Sequence, residues 1–79
     1  NWQLVIENFS VLNEIAPNFQ GARSLLREAH ISYGNELLQA QESCLAKEQF
    51  GAAQKIAVDS KTEEQLSEAE KQCVDSTNR

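Results

Sequence analysis

The spacing of five residues at the start of the chain constrains its fold more than any other feature. Trp2, Val5, Phe9, Leu12 and Pro17 follow one another at intervals of three, four, three and five residues. The first four mark one apolar face of a helix, because positions three and four apart share a face. The proline ends the helix, because it disfavours helical backbone at the preceding residue. A single helix cannot bury such a face alone, so the chain is expected to pack helix on helix.

The rest of the chain follows the same helical period. Only three glycines and one proline interrupt it, and apolar residues recur at intervals of three and four rather than two. We predict an all-α fold of three to four antiparallel helices with one long central helix. Seventy-nine residues allow one module, 1–79. Because the chain begins at Asn1 and contains no methionine, we expect it to be a fragment of a longer protein.

The second predicted helix is the longest, and its extent has two interpretations. Its apolar stripe keeps one register from Ala22 to Cys44. Gly34-Asn35 supplies a helix-ending glycine followed by an N-capping asparagine, which would split the element. The continuous stripe favours a single helix that tolerates the glycine at a cost of about 1 kcal/mol.

Capping residues mark some of the helix starts in the sequence but not all of them. Asn1 is the expected N-cap of the first helix and Asn18 that of the second. The third helix is predicted over about 48–58, but no breaker precedes it, so the second and third helices could also run together. Residues 62–65 read as a capping box that starts the fourth helix, which is expected to bury Leu66, Ala69 and Cys73.

Charge and hydropathy exclude two classes of partner. The net charge is −5, and only Arg23 and Arg27 cluster, whereas nucleic-acid binding needs a basic stripe. No apolar run approaches the 20 or so residues of a membrane span. We therefore expect neither nucleic-acid binding nor membrane insertion.

Two segments of the chain resemble each other at an offset of 48 residues: Trp2, Val5 and Phe9 match Phe50, Ala53 and Ala57. The spacing of Trp2, Val5, Phe9, Leu12 and Pro17 resembles the tetratricopeptide repeat family. In that family the second helix of each unit carries an aromatic residue, then packing residues at plus three, seven and ten, and a closing proline at plus fifteen. The resemblance implies helical hairpins that stack into an array and bind proteins. The family's usual period of 34 implies an insertion in the long second helix. Arg27 and His30 depart from the pattern, since the family has a small residue and an aromatic there.

Two cysteines, Cys44 and Cys73, fall on apolar stripes. They are either two buried structural thiols or a disulfide. If the chain forms a hairpin about residues 59–61, the two cysteines lie level across it, and a turn near Gln49 instead would again bring Cys73 near the level of Cys44. Either topology permits the distance that a disulfide needs. A disulfide would indicate an extracytoplasmic or secreted location. Zinc is not expected, because only His30 joins the cysteines as a soft ligand and structural sites take four.

No residue pattern indicates catalysis or a cofactor. His30 is the only histidine, and Glu28 and Ser32, two residues to either side, do not face it on a helix. We therefore expect no enzyme and no cofactor. The predicted function is protein–protein interaction or scaffolding, with a partner protein or neighbouring repeats, and the alternative is a structural spacer that self-associates as a homodimer. The candidate docking residues are Trp2, Val5, Arg23, Arg27 and Tyr33.

Overall fold

The computed structural model describes residues 1–77 and confirms the all-α fold. These residues form four helices: α1 Trp2–Ile15, α2 Gln20–Gln39, α3 Ser43–Ile56 and α4 Ser60–Thr77. Connections over 16–19, 40–42 and 57–59 are short, so successive helices run antiparallel. Each helix packs chiefly on its neighbours in sequence, α1 on α2, α2 on α3 and α3 on α4. The result is an open, flat row of helices measuring 44 × 26 × 15 Å rather than a closed bundle.

The core lies between α2, α3 and α4 and is built mostly from small residues around one large ring. Phe50 is fully buried and packs with Leu37, Ala46 and Ala69. Ala22, Ala29 and Ala53 are also buried along the helix contacts. Small side chains let the helix axes approach closely, which explains how so short a chain encloses a phenylalanine.

The first helix begins at its predicted N-cap and ends before its predicted proline, whereas the second begins one residue later than a cap at Asn18 implies. The Asn1 side chain accepts a hydrogen bond from the backbone N–H of Leu4 at 3.4 Å, as an N-cap does. The helix ends at Ile15, before Pro17. Asn18 does not cap α2. Phe19 occupies the N-cap position, and its side chain contributes no capping bond.

The second helix passes through Gly34-Asn35 without a break, as the continuous stripe predicted. Its predicted extension to Cys44 is wrong, because α2 ends at Gln39 and α3 begins at Ser43. Gln41 makes the turn in the left-handed region, at φ 64°. Residues 19–58 therefore form two helices, and α3 begins five residues earlier than predicted.

The fourth helix begins before the predicted capping box. The carboxylate of Asp59 accepts from both the backbone N–H and the hydroxyl of Thr62, at 3.3 and 3.2 Å. Thr62 itself lies inside α4 and is buried. Gln65 does not reach back to the helix start, because its amide donates to Asn35 on α2 at 3.0 Å.

The predicted offset of 48 residues does not relate equivalent positions. Trp2 is the first residue of α1, whereas Phe50 lies seven residues into α3, which starts at Ser43. The predicted insertion is also absent from α2, because the helix ends at Gln39. Within residues 1–77, none of the helices combines the length and the apolarity needed to cross a bilayer.

Candidate interaction site

Helix α1 is apolar on two opposite faces. Its inner face, with Trp2 and Phe9, is half-buried against α2. Its outer face carries an outer stripe of three residues spaced by seven and four: Leu4, Val11 and Ile15. Their exposed fractions are 55%, 53% and 76%. A helix that is apolar over most of its circumference is typical of a buried element, yet nothing in the described part of the chain covers this face.

The opposite end of the row is polar. The outward face of α4 is exposed and mainly polar, although it also carries Lys71 and Val74, the latter 57% exposed. Its acidic and hydroxyl side chains are Glu63, Glu64, Ser67, Glu68 and Glu70. In arrays of stacked helices, a polar outer face marks the unit that closes one end. The α4 edge is therefore mainly polar, whereas the α1 edge exposes apolar side chains.

A groove lies where α1 and α3 both flank α2. Its apolar base includes Ile6 from α1, Leu37 from α2 and Leu45 from α3, and its volume is about 380 Å³. Glu7 and Glu48 line it from the two outer helices, and both are exposed. We call this feature the acidic groove.

Two ring side chains of α2 also line the acidic groove. The Nδ1 atom of His30 lies 2.7 Å from Oε1 of Gln49 on α3. Because an amide oxygen only accepts, this bond places a proton on Nδ1. Tyr33 lines the same groove and packs against the Phe50 core. Both rings therefore hold α2 to its neighbours while facing the groove.

The two arginines of α2 are used inside the fold. Arg23 donates to the backbone carbonyl of Ile56 at 2.9 Å, and the Nε of Arg27 donates to that of Ala57 at 3.2 Å. The last carbonyls of a helix lack intrahelical partners and carry partial negative charge. The guanidinium groups satisfy these carbonyls, so they fasten α2 to the end of α3.

Arg27 also ties α2 to the start of α4. Its Nη2 donates to the hydroxyl oxygen of Thr62 at 3.2 Å and lies 3.5 Å from a carboxylate oxygen of Asp59. The same carboxylate caps α4, so the Arg27 guanidinium contacts the C-terminal end of α3, the 57–59 connection and the start of α4. This explains why a large residue stands where a small one would allow closer helix packing.

The cysteines join α3 to α4. The Cys44 and Cys73 sulfurs lie at bonding distance, and their Cα atoms are 4.7 Å apart. The bond links the first turn of α3 to the later part of α4, across the hairpin about residues 57–59. Among residues 1–77 there is no cluster of three or more histidine, cysteine or acidic side chains placed to hold a metal.

The structure separates the predicted docking residues from one another. Trp2 and Val5 lie on the half-buried inner face of α1, Tyr33 lines the acidic groove, and Arg23 and Arg27 contact the end of α3. The outer stripe was not among them. Its signal is present in the sequence, since apolar residues also recur at positions 4, 11 and 15.

Comparison of the chain with protein-family models, with curated proteins and with solved structures finds no match. The proposed function therefore rests on the exposed surfaces of the fold.

Proposed function

We propose that this chain is a protein–protein interaction and scaffolding module of the helical-repeat type, which docks a further helix on the outer stripe of α1. The supporting observation is the contrast between the two ends of the row. One end exposes Leu4, Val11 and Ile15, and the other is acidic. The tetratricopeptide-like spacing at residues 2–17 lies on the inner face of α1 and supports only the helical-repeat part of the proposal, since units of that kind pack helix on helix.

The size of the outer stripe indicates what kind of partner it suits. Full burial of a leucine, valine or isoleucine contributes about 1.5–3 kcal/mol. Covering three side chains that are between one half and three quarters exposed therefore contributes roughly 3 kcal/mol. Association of two separate chains costs about 4–15 kcal/mol in lost freedom. The stripe alone therefore suits a neighbouring unit of the same chain, or a partner that also contacts a second surface.

Site-specific photo-crosslinking tests this proposal. A benzophenone side chain is placed at Val11, or at Ser67 on the polar face of α4 as the control, in extracts of the organism that makes the protein. We expect a defined adduct from position 11 only, and its loss when Leu4 and Ile15 are changed to lysine. An intramolecular adduct would identify a neighbouring unit, and an intermolecular one a separate partner. Equal labelling from both positions, or none from position 11, would contradict the proposal.

Self-association is the second candidate, because an apolar stripe can pair with its own copy about a two-fold axis. Two stripes buried together contribute roughly 6 kcal/mol, near the lower end of the association cost. Sedimentation equilibrium from 10 µM to 1 mM measures it. A mass that rises with concentration in the wild type, but not in Val11→Lys, would favour the homodimer over the interaction module.

We also propose that the protein works in an extracytoplasmic or secreted compartment. The Cys44–Cys73 geometry supports this, since disulfides persist chiefly in oxidising compartments. Mass spectrometry after alkylation of the freshly isolated protein tests it. A deficit of about two daltons with no alkylation is expected for the disulfide, and two alkylated cysteines would contradict the proposed compartment.

A further inference from the structure

The acidic groove has the composition of a binding site for a positively charged segment. Its base is apolar, with Leu37 buried and Leu45 exposed, and Glu7 and Glu48 line it from opposite helices. None of the residues that line the groove is a lysine or an arginine. Within residues 1–77, neither carboxylate has an ion-pair partner.

We propose that the acidic groove binds an extended segment of a partner protein that carries an arginine or a lysine two residues from a large aliphatic residue, since alternate side chains of an extended segment share a face. The aliphatic side chain covers the apolar base, and the cation lies between the carboxylates of Glu7 and Glu48. Arginine suits this position best, because its planar guanidinium donates to two carboxylates and tolerates contact with a ring such as Tyr33. This site differs from the outer stripe and does not depend on it.

The groove is large enough for side chains but not for a helix. Its volume is about 380 Å³, whereas a helix with its side chains is about 10 Å across. In an extended segment, alternate residues point to the same side, so a cation and an aliphatic residue two positions apart can enter the groove together. A whole helix would find room on the outer stripe.

Charge argues against a second copy of this chain as the occupant. Each copy carries a net charge of −5, so pairing would bring acidic surfaces together. The two arginines of α2 already bind the end of α3, and the exposed lysines at 47, 55, 61 and 71 lie within helices rather than in an extended segment. The complementary partner is therefore a different, basic segment.

Titration of the 15N-labelled protein with a capped peptide, three repeats of Ala-Leu-Arg, tests the site by NMR. The matched peptide carries citrulline in place of arginine, which keeps the shape and removes the charge. The test variant is Glu7→Gln/Glu48→Gln. The control is Glu63→Gln/Glu64→Gln, which removes the same charge from the outer face of α4. All four residues are exposed, so both variants are expected to fold, and far-UV CD verifies this.

We expect saturable shifts at the amides of Ile6, Tyr33 and Leu45, and affinity on the order of tenfold weaker in the groove variant, since an exposed ion pair contributes up to about fivefold. The control variant should lose less than about twofold. The Val11→Lys variant should bind the peptide normally, which separates this site from the outer stripe. Equal binding of the citrulline peptide, equal loss in the control variant, or no saturable shift at these three amides would overturn the proposal.

Discussion

The contact between Gly34 and Phe50 makes the sharpest stability prediction. A Cβ added to Gly34 would lie 2.8 Å from Cε1 and 3.0 Å from Cδ1 and Cζ of the Phe50 ring. The ring is fully buried and belongs to the core cluster, so it cannot swing away. Gly51, on α3, provides the matched control, because a Cβ there has no neighbour within 4 Å. Both glycines lie inside helices and neither has a positive φ.

The two alanine substitutions should therefore change stability in opposite directions. Replacing an interior helical glycine by alanine contributes about 1 kcal/mol in favour of folding at both sites. At Gly34 this is outweighed by overpacking, which costs about 1–3 kcal/mol. The upper value applies, because the clash is with a buried ring rather than a flexible side-chain end. The expected net effects are about 2 kcal/mol of destabilisation for Gly34→Ala and up to about 1 kcal/mol of stabilisation for Gly51→Ala.

Thermal and urea unfolding followed by CD at 222 nm measure both effects. In a domain of this size 1 kcal/mol moves Tm by about 4–8 °C, so Gly34→Ala should melt about 8–16 °C below the wild type and Gly51→Ala a few degrees above it. Adding Phe50→Leu should make Gly34→Ala much less costly, because the ring it meets is gone, and the double-mutant cycle would be strongly non-additive. A Gly34→Ala protein that melts at or above the wild-type temperature would refute the close contact between α2 and α3.

Three further substitutions or treatments test other contacts. The Cys44–Cys73 disulfide closes a loop with a sequence separation of 29, and its reduction should destabilise the fold by about 3.6 kcal/mol through chain entropy and lower Tm by about 15 °C or more. The Cys44→Ser/Cys73→Ser variant should melt at the temperature of the reduced protein, and reductant should not change its Tm. Asn13→Leu should stabilise by about 1 kcal/mol in urea unfolding, because the buried Oδ1 of Asn13 has no hydrogen-bond partner among the described residues, and a loss of stability would show that the amide is satisfied. Arg27→Met should cost about 1–2 kcal/mol by removing the bonds that tie α2 to Ala57 and to Thr62 at the start of α4. Arg23→Met should cost less than half as much, since Arg23 makes one bond, to the end of α3; equal costs would contradict this ranking.

The features that local chemistry determines were predictable from sequence. Asn1 caps α1 and Pro17 follows its end, because a side-chain acceptor and a residue that blocks helical backbone each act within one turn. The cysteine pairing was also within reach, since a hairpin about residues 57–59 brings Cys44 and Cys73 level. These contacts depend on few residues and short separations.

The turn between α2 and α3 could not be found from breakers, because residues 40–42 contain neither glycine nor proline. Gln41 adopts the left-handed conformation that a C-terminal glycine usually supplies. The sequence signal for this turn is that the apolar residues before and after it fall on different faces of a continuous helix. Ala46 lies nine residues after Leu37, about two and a half helical turns, so one continuous helix would place these core residues on opposite faces. Burial of Ala46 and Phe50 against α2 requires the chain to reverse instead.

The start of α4 shows a competition between two local signals. Both Asp59 and Thr62 precede a suitable partner by three residues, and sequence favoured Thr62. The structure uses Asp59 because the Thr62 hydroxyl is needed elsewhere, as the acceptor for Arg27 and the donor to Asp59. Tertiary contacts from α2 therefore select the Asp59 cap over the Thr62 capping box that the sequence predicted.

Only part of the candidate site could be predicted from the sequence, again because tertiary packing decides between local patterns. Apolar residues on α1 cover two faces, and periodicity alone does not say which face α2 will cover. The structure assigns the face with Trp2 and Phe9 to α2 and leaves Leu4, Val11 and Ile15 exposed. Burying the large aromatic rings removes more apolar surface from water than burying the aliphatic stripe, so docking on α2 takes the aromatic face first. The remaining stripe is small, so under our proposal a linked neighbour, or a partner also engaged elsewhere, completes the contact.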